Sequence, residues 1–231
     1  MKTDYKKCLN FFFMNSMDAR MVFDNARSVI ARAYGPTAVE KFVLTMSTLR
    51  LEQALVAGQN LYSFPVLNQD TVGGVFPTEK RLKQQDSFFI SHIQYFLGLP
   101  SGANDTAWLP LTYESPFLSG VSAGALRALW NGSLTMTLAN YKYVYNWDLL
   151  KHYYAPETQQ TAALGAGSPV DQKRLIEDGF SALEPMVTLM GTEDNLIQVQ
   201  LDAPPATFPA NARIGLLLRG VNAQNSTPVA R

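Results

Sequence analysis

Cysteine is almost absent from this chain of 231 residues: there is one, Cys8. That excludes an internal disulfide and the cross-linked scaffold of a small secreted domain. Histidine is nearly as scarce, with two, so a histidine-rich metal centre has little to draw on. Charge is thin as well. Charged residues make up 16% of the chain, against about 25% in an average globular domain. Lys plus Arg number 19 and Asp plus Glu number 19, a formal net charge of zero. No global field therefore draws the molecule onto nucleic acid or an acidic membrane. Long apolar runs are missing too. Phe11-Phe12-Phe13-Met14 follows Lys6-Lys7 in the manner of a secretory leader, but Asn15, Ser16 and Asp18 interrupt it. A leader core needs about 7–15 apolar residues. Phe88 to Leu99 is broken by Ser91, His92 and Gln94, and a spanning helix needs about 20 apolar residues. The expectation is a chain without a membrane span, folded in a reducing cytoplasm.

What is present is a hydrophobic content of 47%. That excludes wholesale disorder, and the length suffices for one substantial core. The first fifty residues differ from the rest. Eight basic residues, Lys2, Lys6, Lys7, Arg20, Arg27, Arg32, Lys41 and Arg50, face four acids, Asp4, Asp18, Asp24 and Glu40. Within Met17–Tyr34 the apolar positions Met21, Val22, Ala26, Val29, Ile30 and Ala33 follow helical spacing. Ser16 suits the N-cap and Gly35-Pro36 the stop. Thr37 would cap a second short helix with Val39, Phe42, Val43 and Met46 on one side. The prediction is an N-terminal helical arm over 1–46.

Beyond residue 47 the texture is of strands and turns. Leu49, Leu51, Gln53 and Leu55 alternate with Arg50, Glu52 and Ala54; Leu61–Phe64 follows the turn Gly58-Gln59-Asn60. Asp86–Leu97 is apolar on both faces, as expected of a strand between two packed layers. Pro100–Gly124 reads as a long loop. Asn131-Gly132 between Leu126–Trp130 and Ser133–Leu138 is a hairpin signal, because both residues tolerate the positive φ of a type I′ turn. Tyr141, Tyr143 and Tyr145 continue the alternation. Pro156–Ser168 reads as a surface loop and Asp171–Phe180 as a short helix. Pro185–Met190, Leu196–Leu201 and Ile214–Leu218 complete the strands, and 222–231 forms a polar tail. Strands without regular intervening helices predict a mainly β fold, an antiparallel β-sandwich over 47–221. Its core should hold Phe89, Ile93, Leu134, Met136, Leu189, Val199 and Leu216.

Catalytic chemistry finds little footing. A Ser-His-Asp set can be drawn from Ser87, Ser91, His92, Asp148 and His152, but a triad is defined by geometry. His92 reads better as a strand residue and His152 as an interface or loop residue. Glu193-Asp194 and Glu177-Asp178 read as solvated turn charges. Gly73-Gly74 and Gly165-Ala166-Gly167 lack the Lys-Ser/Thr ending of a phosphate loop. No catalytic, cofactor-binding or metal-ligating residue is assigned. The candidate contact residues are aromatic and apolar: Tyr141, Tyr143, Tyr145 and Trp147, which join apolar area to a polar tip, and Val22, Val29 and Ile30 on the arm. The arm's cations, diluted by acids, favour docking on a neighbouring subunit over phosphate contact.

Three stretches carry a resemblance: Leu61-Tyr62-Ser63-Phe64-Pro65-Val66, Leu82-Lys83-Gln84-Gln85-Asp86-Ser87-Phe88-Phe89-Ile90, and Glu184-Pro185 leading through Gly191 to Asn195-Leu196-Ile197-Gln198-Val199-Gln200-Leu201. In texture, and in the plan of arm, strands and polar loops, the chain resembles jelly-roll structural proteins of bacteriophage virions. The length fits a single jelly roll rather than a double one. The resemblance implies a non-enzymatic coat-like protein without a cofactor, located in the virion after synthesis in the host cytoplasm. Its partners would be copies of itself and other virion proteins, with at most weak contact to nucleic acid. The alternative is a receptor- or carbohydrate-binding β-sandwich, as in a phage fibre or surface adhesin. A metal-dependent jelly-roll enzyme would need more histidines than the chain has.

Overall fold

The computed structural model describes residues 20–32, 40, 42–69, 76–100, 108–113, 126–154 and 179–224. One helix, α1 (20–32), precedes nine strands. These are β1 (Val43–Ala54), β2 (Leu61–Pro65), β3 (Ser87–Pro100), β4 (Trp108–Leu111), β5 (Gly132–Leu138), β6 (Tyr141–Asp148), β7 (Ser181–Met190), β8 (Asn195–Leu201) and β9 (Arg213–Gln224). They form two antiparallel sheets. Sheet A has the order β1-β9-β3-β4, with β7 also on β3; sheet B has the order β2-β8-β5-β6.

Leaving aside short β4, eight strands remain, and their pairing obeys one rule. The first pairs with the last (β1 with β9), the second with the second-last (β2 with β8), the third with the third-last (β3 with β7), and the middle two with each other (β5 with β6). The folded ribbon is then rolled so that β3 also meets β9 and β5 also meets β8. This is jelly-roll topology, two interlocked Greek keys.

The core between the sheets follows from register, because residues paired across antiparallel strands share a face. Sheet A presents the rows Leu49–Leu218–Ile93, Leu51–Leu216–Tyr95 and Gln53–Ile214–Leu97. Sheet B presents Tyr62–Val199–Leu134–Trp147 and Phe64–Ile197–Met136–Val144. Except for Gln53 and Trp147, all of these side chains are buried. Of the predicted core, Ile93, Leu134, Met136, Leu189, Val199 and Leu216 lie here. Phe89 is buried on the opposite face of sheet A instead.

That opposite face explains α1. Ala26 and Ile30 are fully buried against Phe89, Val221 and Ala223, with Val22, Phe23, Phe42, Leu44 and Met186 around them. The predicted helix is therefore present, but its apolar face docks on its own sandwich. Its predicted ends, 17–19 and 33–34, lie outside the described residues. The second helix is replaced from Val43 onward by β1, where Val43, Thr45, Thr48 and other residues pair with β9. The arm–sandwich boundary at 46/47 thus falls inside a strand, and β9 runs three residues past 221.

A further sequence expectation changes. Asn131 is extended (φ −89°, ψ 109°) and caps a 3-10 turn, Ala128–Trp130, so Asn131-Gly132 leads into β5 without making a hairpin. The hairpin turn is Ala139-Asn140, where φ is 47° and 68°, the double positive φ that a type I′ turn requires. The expected loops and helix over 156–168 and 171–178, and most of 100–124, lie outside the described residues.

Candidate interaction surface

Among the described residues, the tyrosine-bearing strand lies at an edge of sheet B. Three steps along β6, Trp147 to Val144, match two along β5, Leu134 to Met136; two steps along β6, Val144 to Lys142, match one along β5, Met136 to Thr137. Each shift inserts one extra residue into β6, and Asn146 takes a φ of 51° to accommodate one of them. The consequence is a period of three. Tyr141, Val144 and Trp147 face their partners on the core side of β5, while Lys142, Tyr143, Tyr145 and Asn146 lie outward. The expected alternation of the three tyrosines is thus broken, and they lie exposed along a bulged rim. Tyr141 opposes Leu138 at the hairpin mouth and is 72% exposed; Tyr143 and Tyr145 are 60% and 66% exposed.

Two lysines sit on this rim. Lys142 places its Nζ 5.0 Å from the Tyr145 ring, and Lys151 places its own 4.4 Å from the Trp147 ring. Trp147 itself is half-buried and committed inward. Its indole N–H donates to His152 Nε2 at 3.0 Å, and the two rings stack at 26°. His152 Nδ1 lies 3.2 Å from the Gly179 carbonyl. Because Nε2 accepts, Nδ1 must carry the proton, so the ring is a neutral donor–acceptor bridge. Burial holds its pKa below the ordinary histidine value, partly opposed by the Gly179 hydrogen bond. His152 thus fastens β6 to the segment entering β7.

Of the other residues of the Ser-His-Asp set drawn from the sequence, Asp148, Ser91 and His92 have hydrogen-bond partners, and the Ser87 hydroxyl is buried without one among the described residues. Asp148 accepts from the Leu150 N–H at 2.8 Å and caps the 3-10 turn Leu149–His152, away from any triad role. Ser91 is the bulged residue of β3; its hydroxyl donates to the Arg219 carbonyl at 3.1 Å and lies 3.0 Å from His92 Nδ1. The Ser-His-Asp set therefore does not assemble. One pattern the sequence reading missed is Gly120-Val121-Ser122-Ala123-Gly124, which has the spacing of a nucleophile elbow. It lies outside the described residues. The elbow works at a strand-to-helix turn of an α/β-hydrolase sheet, and both sheets here are antiparallel.

The arm candidates divide by burial. Ile30 is fully buried within the chain and Val22 partly, so α1's own sheet occupies the face they were expected to offer a neighbour. Val29 is exposed. Sequence reading also missed a buried charge network beside α1 on sheet A. Glu52 takes Arg50 Nε at 2.6 Å, Arg213 at 3.1 Å and the Thr78 hydroxyl at 2.6 Å. Glu79 takes the Glu52 and Phe76 N–H groups and Arg81. Arg213 stacks 3.8 Å from the Phe76 ring. The network clamps residues 76–81 over the sheet. Its signal was Arg50-Glu52 at the alternating positions of a strand, which surface strands show equally.

The outer face of sheet B is of a different kind. Its rows are Leu61–Gln200–Ser133–Asp148, Ser63–Gln198–Thr135 and Pro65–Leu196–Thr137–Lys142. Charge is confined to the β6 column, and β2, β8 and β5 offer hydroxyls, amides and the exposed Leu61 and Leu196. Comparison of the chain with protein-family models, curated protein sequences and solved structures finds no match in any of the three.

Proposed function

We propose that the chain is a non-enzymatic virion structural protein that self-assembles as part of a phage capsid shell or vertex, with other virion proteins as further partners. The observation that carries this reading is the exposure of three tyrosines on the rim of a jelly roll. Jelly rolls serve as viral capsid domains, and also as lectins and cupins, so the fold alone leaves the choice open. The rim supports assembly. Tyr141, Tyr143 and Tyr145 expose apolar area with polar tips, the composition favoured where protein surfaces meet. A cupin-type metal role is poorly supported by the histidines, since both ring nitrogens of His152 are engaged internally. Contact with genome is weak in this reading; of the cations on α1, Arg20 already lies 3.9 Å from Asp24. Native mass in solution tests the proposal. A large closed assembly is expected, and a monomer at all concentrations would contradict it.

The second reading, a receptor- or carbohydrate-binding module, is favoured by the outer face of sheet B. Ser63, Gln198, Thr135 and Thr137 beside Tyr143 and Tyr145 make a largely uncharged hydroxyl, amide and aromatic surface suited to a neutral glycan. A monomer or trimer retained on an immobilised neutral glycan, and released by Tyr145→Ala, would favour it.

A further inference from the structure

An antiparallel sandwich must dispose of its strand edges, since an exposed edge is a template for another chain. Here most are blunted. β6 carries two bulges and Lys142. β2 is five residues long and ends in Pro65. β4 is four residues long and contains Pro110, and β7 carries Glu184 and Pro185. The exception is the first half of β1. Val43-Leu44-Thr45-Met46-Ser47-Thr48 has no charge, no proline and no glycine. Its register with β9 is unbroken over the whole strand.

The direction of its free backbone groups can be fixed. Arg50 exchanges both its hydrogen bonds with Lys80, each 2.9 Å, on the side away from β9. Backbone groups alternate along a strand, so Leu44, Met46 and Thr48 turn their N–H and C=O groups to that same side. Among the described residues, none pairs with them there. The blocking segment at Lys80 covers only the far half of β1.

We infer that this edge is a docking site for the same edge of a second copy, the two β1 strands pairing antiparallel about a two-fold axis at Thr45. An axis normal to the sheet requires opposed residues to share a face, as in one continuous sheet. In this register Leu44 of each copy opposes Met46 of the other and Val43 opposes Ser47. The Leu44–Met46 pairs exchange both backbone hydrogen bonds. The contact is isologous, so the patch must complement itself, and an uncharged strand does so without like-charge repulsion. The charged, bulged or proline-bearing edges cannot supply an equivalent strand. The inference goes beyond the assembly proposed above and is independent of the tyrosine rim, which belongs to the other sheet.

Cross-linking tests it. Thr45 turns its own backbone groups toward β9, so across the axis it forms a non-hydrogen-bonded pair with Cα atoms about 4.5 Å apart, within the reach of a disulfide. In a Cys8→Ser background, Thr45→Cys should oxidise to a covalent dimer at least about tenfold faster than Thr192→Cys, on the exposed β7–β8 turn, because docking raises the effective concentration. Met46→Pro removes an N–H that no described residue accepts in the monomer and leaves the β9 ladder intact; sedimentation should show the dimer lost. Equal oxidation rates for the two cysteine variants would overturn the inference, as would a folded Met46→Pro protein that still dimerises fully. Tyr143→Ser with Tyr145→Ser should leave the Thr45→Cys rate unchanged, so failure at this edge and failure at the tyrosine rim are separable.

Discussion

The two sheets of this sandwich solve the same burial problem on their inner faces and opposite problems on their outer ones. Sheet A is covered on both sides: α1 lies over Phe89, Val221 and Ala223, and residues 76–81 lie over Glu52 and Arg213. Its strand β3 is accordingly buried on both faces, with Ser91, His92 and Gln94 interrupting the apolar residues from Phe88 to Leu99. The described residues cover sheet B on one side only, and β5 alternates cleanly between buried Leu134, Met136 and Leu138 and partly exposed Ser133, Thr135 and Thr137. The difference teaches where the chain spends its covering elements, and so which surface it leaves for something else.

The largest effect should come from the covered side. Glu52→Ala leaves Arg213 buried and strips the charge partner of Arg50, and breaking a buried pair by removing one member costs about 3–5 kcal/mol. Chemical denaturation should show that loss; a change under about 1 kcal/mol would mean that water reaches the network and residues 76–81 do not seal it. Ile30→Ala comes next. It truncates a fully buried side chain between α1 and sheet A, and such truncations cost about 2–5 kcal/mol. If α1 docked on a neighbour instead, the same variant would weaken assembly and leave monomer stability unaltered.

A smaller effect sits where the sheets join. His152 is held neutral in the fold with its pKa below the ordinary value. A depressed folded pKa means that this contribution to stability is complete above the unfolded value of about 6.5 and is lost as pH falls through it toward the folded value. Denaturation between pH 8 and 5 should show the decline, and His152→Gln should flatten it. The least effect belongs to the open face. Thr135→Val and Thr137→Val, partly exposed on sheet B, should each change stability by no more than about 0.5 kcal/mol. A larger loss from either would show that the face is already covered.

How much of this was legible in the sequence follows the same division. Strands β2, β5 and β8 of sheet B were readable because one solvent face leaves a period of two, and Ile214–Leu218 of β9 was readable as a short apolar run. Arm and sandwich were misjudged at their junction because Val43 and Met46 fit a helical face as well as a strand, and only pairing with β9 decides between them. Phe89 was placed in the wrong layer for a related reason: a strand apolar on both faces does not say which face meets which cover. The tyrosines were found but not their geometry, since a bulge changes which face a residue takes without changing residue type. Asn131-Gly132 misled because the backbone there is extended, while Ala139 takes a positive φ that its side chain does not advertise. The Glu52 and Glu79 network was invisible, as buried and solvated acids look alike in sequence.

The central claim is that copies of this chain meet through the aromatic rim of sheet B, with charge secondary. Sedimentation of assembled material across a salt series, for the wild type and for Tyr143→Ser with Tyr145→Ser, tests it most directly. Burying one such ring contributes about 1.5–3 kcal/mol, repeated at every copy. Salt, raised from about 0.05 to 0.5 M, screens exposed charges and leaves apolar contact standing. The wild type should stay assembled across the series and the double variant should fall apart at every salt concentration. Disassembly of the wild type by salt, with the double variant intact, would show that charge pairs hold the copies together and that the rim is a bystander.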